Sequence, residues 1–69
     1  MSLLPPNPKF QTGQILRHLK TGGLYRIVGR AMIEATLTPA YVYESISTGD
    51  HWVRPQAEME DGRFELKKD

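Results

Sequence analysis

Cysteine is absent from the 69 residues, which removes disulfide staples and thiolate metal sites together. A chain free of cysteine fits a reducing compartment, so a cytoplasmic setting is expected. Long apolar runs are also missing. None approaches the roughly 18 residues that a membrane helix needs, and nothing has the make-up of a signal peptide. No membrane partner is expected. Acids are missing from the first 30 residues, which carry Lys9, Arg17, Lys20, Arg26 and Arg30. The remaining 39 residues hold eight acids against four bases, so the halves stand at +5 and −4. In a compact sheet the halves interleave, and the overall +1 points to no strongly charged partner.

Catalytic signatures are missing too. There is no HExxH, GxSxG, CxxC or EF-hand pattern, and Gly22-Gly23 is too short to cradle a phosphate. His18 and His51 are the only histidines; a metal would need Glu44 or Asp50 beside them. Glu58, Glu60 and Asp61 crowd together as a solvated turn does. No catalytic, cofactor-binding or metal-binding residue is assigned, and a non-catalytic protein is expected.

What is present reads as strand and turn. Residues 1–9 hold Pro5, Pro6 and Pro8, which fix φ and remove donors; they predict an extended N-terminal tail. Residues 10–69 are one domain, since a chain this short supports a single small core. Gln14–Lys20 and Leu24–Ala31 are predicted strands joined by Thr21-Gly22-Gly23. In the second, Tyr25, Ile27, Gly29 and Ala31 are assigned to the core side, and Arg26 and Arg30 to the other. Gly29 in mid-strand predicts a bend. Ala40–Ser47 is a third strand, Ser47–Asp50 a turn, and His51–Arg54 a fourth strand stopped by Pro55. Pro55–Met59 makes one helical turn, and Arg63–Lys67 is the last strand. The expected fold is all-β, a five-stranded SH3-like barrel with one helical turn before the last strand, an open and strongly bent sheet being the alternative. Leu16, Ile27, Val42, Ile46, Val53, Phe64 and Leu66 are the expected core.

The chemistry that remains is aromatic and basic. Tyrosine and tryptophan offer flat faces, and arginine and lysine bind carboxylate or phosphate. His18, Lys20, Tyr25, Arg26, Tyr43, Trp52 and Arg54 form the candidate binding surface, with Arg30 and Tyr41 near them in the pattern. Three readings stay open. The first is a protein or peptide interaction module. The second is single-stranded nucleic-acid binding, which uses stacking and cations together. The third is a small-ligand or enzyme accessory site on His18, Glu34 or Asp50.

His18–Tyr25, Val42-Tyr43, Trp52-Val53-Arg54-Pro55 and Arg63-Phe64-Glu65 together resemble the bacterial family catalogued as domain of unknown function 1653. That family reads RH-x-KGG-x-Y, then VVY, WVRP and a closing RFE; the likeness covers about residues 14–66. WVRP after a TGD-like turn is its most specific part. Ile33 and Ala35 stand where the family commonly has histidine and glutamate, and the stretch from Met59 to Arg63 is shorter. The resemblance implies a short cytoplasmic bacterial protein of SH3-like form, with His18, Lys20, Tyr25, Tyr43, Trp52 and Arg54 as its shared surface. It implies no activity.

A core side chain of this kind stabilises by about 1.5–3 kcal/mol, a large share in so small a domain. Phe64→Ala is therefore expected to lower the melting temperature sharply. An unchanged melt by circular dichroism would remove Phe64 from the core.

Overall fold

The computed structural model describes residues 3–68; Met1 and Ser2 of the expected tail and Asp69 of the domain lie outside them. Five antiparallel strands form one sheet: β1 (Ile15–His18), β2 (Leu24–Ile33), β3 (Thr38–Ser45), β4 (His51–Pro55) and β5 (Phe64–Leu66). A helical turn, α1 (Gln56–Met59), sits between β4 and β5, with Pro55 at its N-cap. The strand order is β4-β3-β2-β1-β5. The first four strands follow one another as a meander, and β5 returns to pair with β1.

Turn chemistry sets these boundaries. Gly22, with φ +77°, closes the β1–β2 hairpin by donating its N–H to the His18 carbonyl (2.7 Å). The first hairpin is thus short, whereas β2 and β3 pair along eight register positions, from Tyr25↔Ser45 to Ile33↔Thr38. Residues 32–39, which read from the sequence as the end of the second strand followed by a loop, divide in that way: β2 runs on to Ile33 before the chain turns, and β3 begins at Thr38.

One irregularity interrupts the long pair. The register slips between Ile27 and Gly29, so Val28 is the extra residue of a β-bulge. The bulge corrects the expected side-chain pattern. Ile27 pairs with Tyr43 and Arg30 with Tyr41, so Arg30 comes to the inner side and Ala31 crosses to the outer one.

The sheet does not close by hydrogen bonding: β4 and β5 are its two edges. It does curl. The Arg54 guanidinium carbon of β4 lies 5.9 Å from the centre of the Phe64 ring in β5. Side chains therefore meet across the concave side where backbones do not.

The core lies on that side. Leu16, Ile27 and Phe64 are buried as expected, but they are joined by Phe10, Tyr41, Tyr43 and Met59. Val53 (58% exposed) and Ile46 (44%) are not core, Leu66 sits at an edge, and Val42 is half-buried. The reason is parity. Tyr41 and Tyr43 alternate with Val42, and the strand turns the tyrosines inward.

Half of the concave side is covered. Met59 of α1 and Phe10 close over Tyr41, whose ring is fully buried. The Tyr41 hydroxyl donates to Glu60 Oε2 (2.5 Å) and accepts from the Phe10 N–H (3.1 Å). The Lys9 N–H donates to the same Glu60 oxygen (3.1 Å), and Arg30 donates to the Pro5 carbonyl (2.6 Å). Residues 5–10 are thereby tied to the sheet rather than hanging from it.

Burial, then the bond to Glu60, pushes the Tyr41 hydroxyl up to about 12 from its usual 10.0. The proton is held more tightly in the folded chain than in the unfolded one. Its stabilising share is complete below about pH 10 and is lost as pH rises through about 12. Tyr41→Phe is expected to cost about 1–3 kcal/mol at neutral pH, because a buried Phe10 N–H loses its acceptor. Urea titrations of both proteins should show this gap shrinking between pH 10 and 12. A gap independent of pH would mean that Tyr41 ionises freely.

Candidate functional site

The uncovered half of the concave side is aromatic. His18, Thr21, Tyr25, Tyr43, Trp52, Arg54 and Phe64 line a cleft of about 220 Å³. Register brings them together. Tyr43 sits opposite Trp52 across β3–β4, and His18 sits opposite Phe64 across β1–β5. Residues opposite one another in an antiparallel pair share a side, and so do residues two apart in one strand. Trp52 and Arg54 are such a pair, and Leu16 and His18 are another.

Phe64 is the floor. Its ring meets His18 edge-on at 4.9 Å, Tyr43 at 5.8 Å and Tyr25 at 5.9 Å. Tyr25 and Tyr43 also meet edge-to-face at 5.4 Å. Such contacts contribute about 0.5–1.5 kcal/mol each beyond burial and fix the ring planes. Trp52, by contrast, is half exposed and makes no ring contact among the described residues, so its face is available at the rim.

The turn before β2 holds one wall. Thr21 Oγ1 accepts from the Gly23 N–H (3.2 Å) and lies 3.3 Å from His18 Nδ1. A methyl group on Gly23 would sit 3.2 Å from Tyr25 Cε2 and 3.3 Å from its hydroxyl. The missing side chain lets the Tyr25 ring lie against the turn.

The lining contains no carboxylate. Its polar groups are the Arg54 guanidinium, the Trp52 indole N–H, the Thr21, Tyr25 and Tyr43 hydroxyls and the His18 ring. The nearest acid to Arg54 is Glu58, at 3.8 Å, and Glu58 also faces Arg63 at 3.7 Å. Arg63 is itself held by Asp61 (2.7 Å), and this guanidinium keeps the Asp61 carboxyl below its usual range. Arg54 is thus loosely paired and turned towards the cleft.

Of the seven residues expected from the sequence, His18, Tyr25, Tyr43, Trp52 and Arg54 converge here. Lys20 does not; it lies exposed in the turn after β1. Arg26 does not either. It points to the convex side, where Glu44 Oε1 takes it at 2.9 Å and His51 approaches the same carboxylate at 3.8 Å. Arg30 lies in the other half, on the Pro5 carbonyl, and Tyr41 is buried. Thr21 and Phe64 were missed as site residues. The return of β5 to β1 places Phe64, and no local pattern announces it.

For the alternative site on His18, Glu34 or Asp50, Glu34 does not join His18: it follows β2, at the far end of the β2–β3 hairpin from the His18 turn, and neither Glu34 nor Asp50 lines the cleft. No cluster of three metal-ligating side chains occurs among the described residues. No helix among them is long and apolar enough to cross a membrane. Two wider hollows, of about 350 and 430 Å³, lie elsewhere. The arginines lining them are engaged, Arg30 by Pro5 and Arg17 by Glu65.

Comparisons with protein-family models, with curated proteins and with solved structures returned no match.

Gly23→Ala is expected to displace the Tyr25 ring by a few tenths of an ångström while leaving the hairpin intact. Aromatic NMR signals of Tyr25, Tyr43 and Phe64 should shift together with little change in melting temperature. Unmoved Tyr25 signals would show that the ring does not rest on the turn.

Proposed function

We propose that this protein is a non-catalytic binding module that takes a protein or peptide segment in the cleft between Trp52, Arg54 and His18. One observation carries the reading. The fold covers half of its concave side with Phe10 and Met59 and leaves the other half as an open cleft, floored by buried Phe64 and Tyr43 and rimmed by exposed Trp52. A cleft of this volume admits one side chain and excludes a large substrate. Aromatic and arginine side chains are those that most often anchor protein contacts.

Single-stranded nucleic acid is the weaker reading. It needs a run of cations beside the stacking faces. Arg26 and Arg30, which would supply it, are turned away and engaged. Arg54 and His18 alone give a point of charge rather than a track.

The same reading includes the finer architecture and kinship. The curl that sets Arg54 against Phe64 supports an SH3-like barrel completed by side chains. His18, Tyr25, Tyr43, Trp52 and Arg54 gather in one place, and each lies in a motif shared with the domain of unknown function 1653 family. A bacterial, cytoplasmic protein of that family is the proposed identity.

Trp52 is the only tryptophan in the chain, so its fluorescence reports the cleft directly. Short peptides selected from a displayed random library are expected to shift that emission, and Trp52→Ala to abolish their capture. Equal capture by Trp52→Ala would remove the cleft from the function. A shift produced by oligothymidine at low salt, and by no peptide, would favour the nucleic-acid reading.

A further inference from the structure

The cleft opens beside a sheet edge, and the two features fit one occupant. β4 pairs with β3 alone, and no other described segment bonds to its outer side. The Ser45 N–H donates to the Asp50 carbonyl at 2.9 Å, which fixes the phase of the ladder. With Tyr43 opposite Trp52 and Tyr41 opposite Arg54, those residues turn their backbone groups towards β3. His51 and Val53 then turn theirs outward, and both residues are exposed. Pro55 adds nothing to this edge, since it has no N–H and its carbonyl, at the N-cap, starts α1.

Exposed edges are normally blunted by lysine, by a bulge, by shortness or by cover. β5 is guarded in this way: it spans Phe64–Leu66 and runs into Lys67 and Lys68. β4 has five residues, no lysine and an unbroken register. It presents Val53 (58% exposed) on the convex side and Trp52 (52% exposed) on the concave side.

A strand laid along β4 would place alternate side chains on the concave side, next to Trp52 and Arg54. The group that fits there must satisfy a donor-rich, carboxylate-free lining with a loosely paired guanidinium. Aspartate and glutamate do so, whereas a cation would face Arg54. We infer that the partner is an extended, acidic peptide segment that adds to β4 as a sixth strand and sets one carboxylate on Arg54. This rests on the peptide-binding reading and adds to it the mode of docking and the anchor.

Val53→Pro separates the two. Proline at an outward position removes the Val53 N–H that would meet the peptide and leaves the bonds to β3 in place. Random short peptides displayed on phage, selected on the full chain, should be enriched in Asp or Glu at one position. Arg54→Leu should erase that enrichment. Synthetic copies of a selected peptide should bind Val53→Pro about tenfold or more weakly, with its circular dichroism spectrum unchanged. Should that variant unfold, the peptide side gives the same answer. N-methylation at alternate residues should weaken binding to the wild type by a similar factor, and at the residues between them it should not. Selected peptides that quench Trp52 yet show no acidic position, or tolerate N-methylation throughout, would overturn strand addition and leave the peptide-binding reading standing. Failure to select any peptide would overturn both.

Discussion

A phenol buried in the concave side holds this small sheet in shape. The Tyr41 hydroxyl cannot be left bare in an apolar setting, and it meets partners from both ends of the chain, the Phe10 amide and the Glu60 carboxylate. Those two bonds fasten the leading segment and the end of α1 over one half of the sheet. Among the described residues no segment covers the other half in the same manner. The cleft is the part of the concave side that the clasp does not reach. The clasp and the cleft are thus divided along one strand, with Tyr41 under the first and Tyr43, two residues on, lining the second.

The order of strands was legible because turn residues mark it. Gly22, Gly49 and Pro55 punctuate the chain where it does turn, and both glycines named take positive φ. Which side of each strand faces inward was less legible. In Ala40–Ser45, tyrosines and the valine between them are all acceptable core residues, and period two fixes only that they oppose each other. The inward side is the one that Phe10 and Met59 cover, where Glu60, nineteen positions from Tyr41, accepts its hydroxyl hydrogen bond. The bulge at Val28 defeated the assignment of Arg30, because one extra residue reverses everything after it. Gly29 signalled a bend without saying that parity would change.

The candidate surface was legible to the extent that strand parity was respected. Trp52 and Arg54 lie two apart and had to share a side. Tyr25 and Arg26 are neighbours in a strand and had to part. Grouping residues by chemistry alone therefore brought Arg26 in wrongly. The charge contrast between the halves of the chain also dissolves in the fold. Antiparallel pairing sets Arg17 against Glu65 and Arg26 against Glu44, so early bases meet late acids. Arg54 escapes this pairing because its β3 partner is a buried tyrosine rather than an acid.

The pairing of β1 with β5 has a consequence in time. Each of the other strand pairs joins neighbours in sequence and can form as soon as its hairpin is made. Arg17 and Glu65 stand 48 positions apart, and closing so wide a loop is entropically slow. The β1 to β4 meander can therefore form before Phe64 docks. Before that step the cleft has its walls, with Tyr25 already against Tyr43, but not its base, and His18 has no ring beneath it. The cleft is therefore completed only at the last step of folding, when the final strand docks.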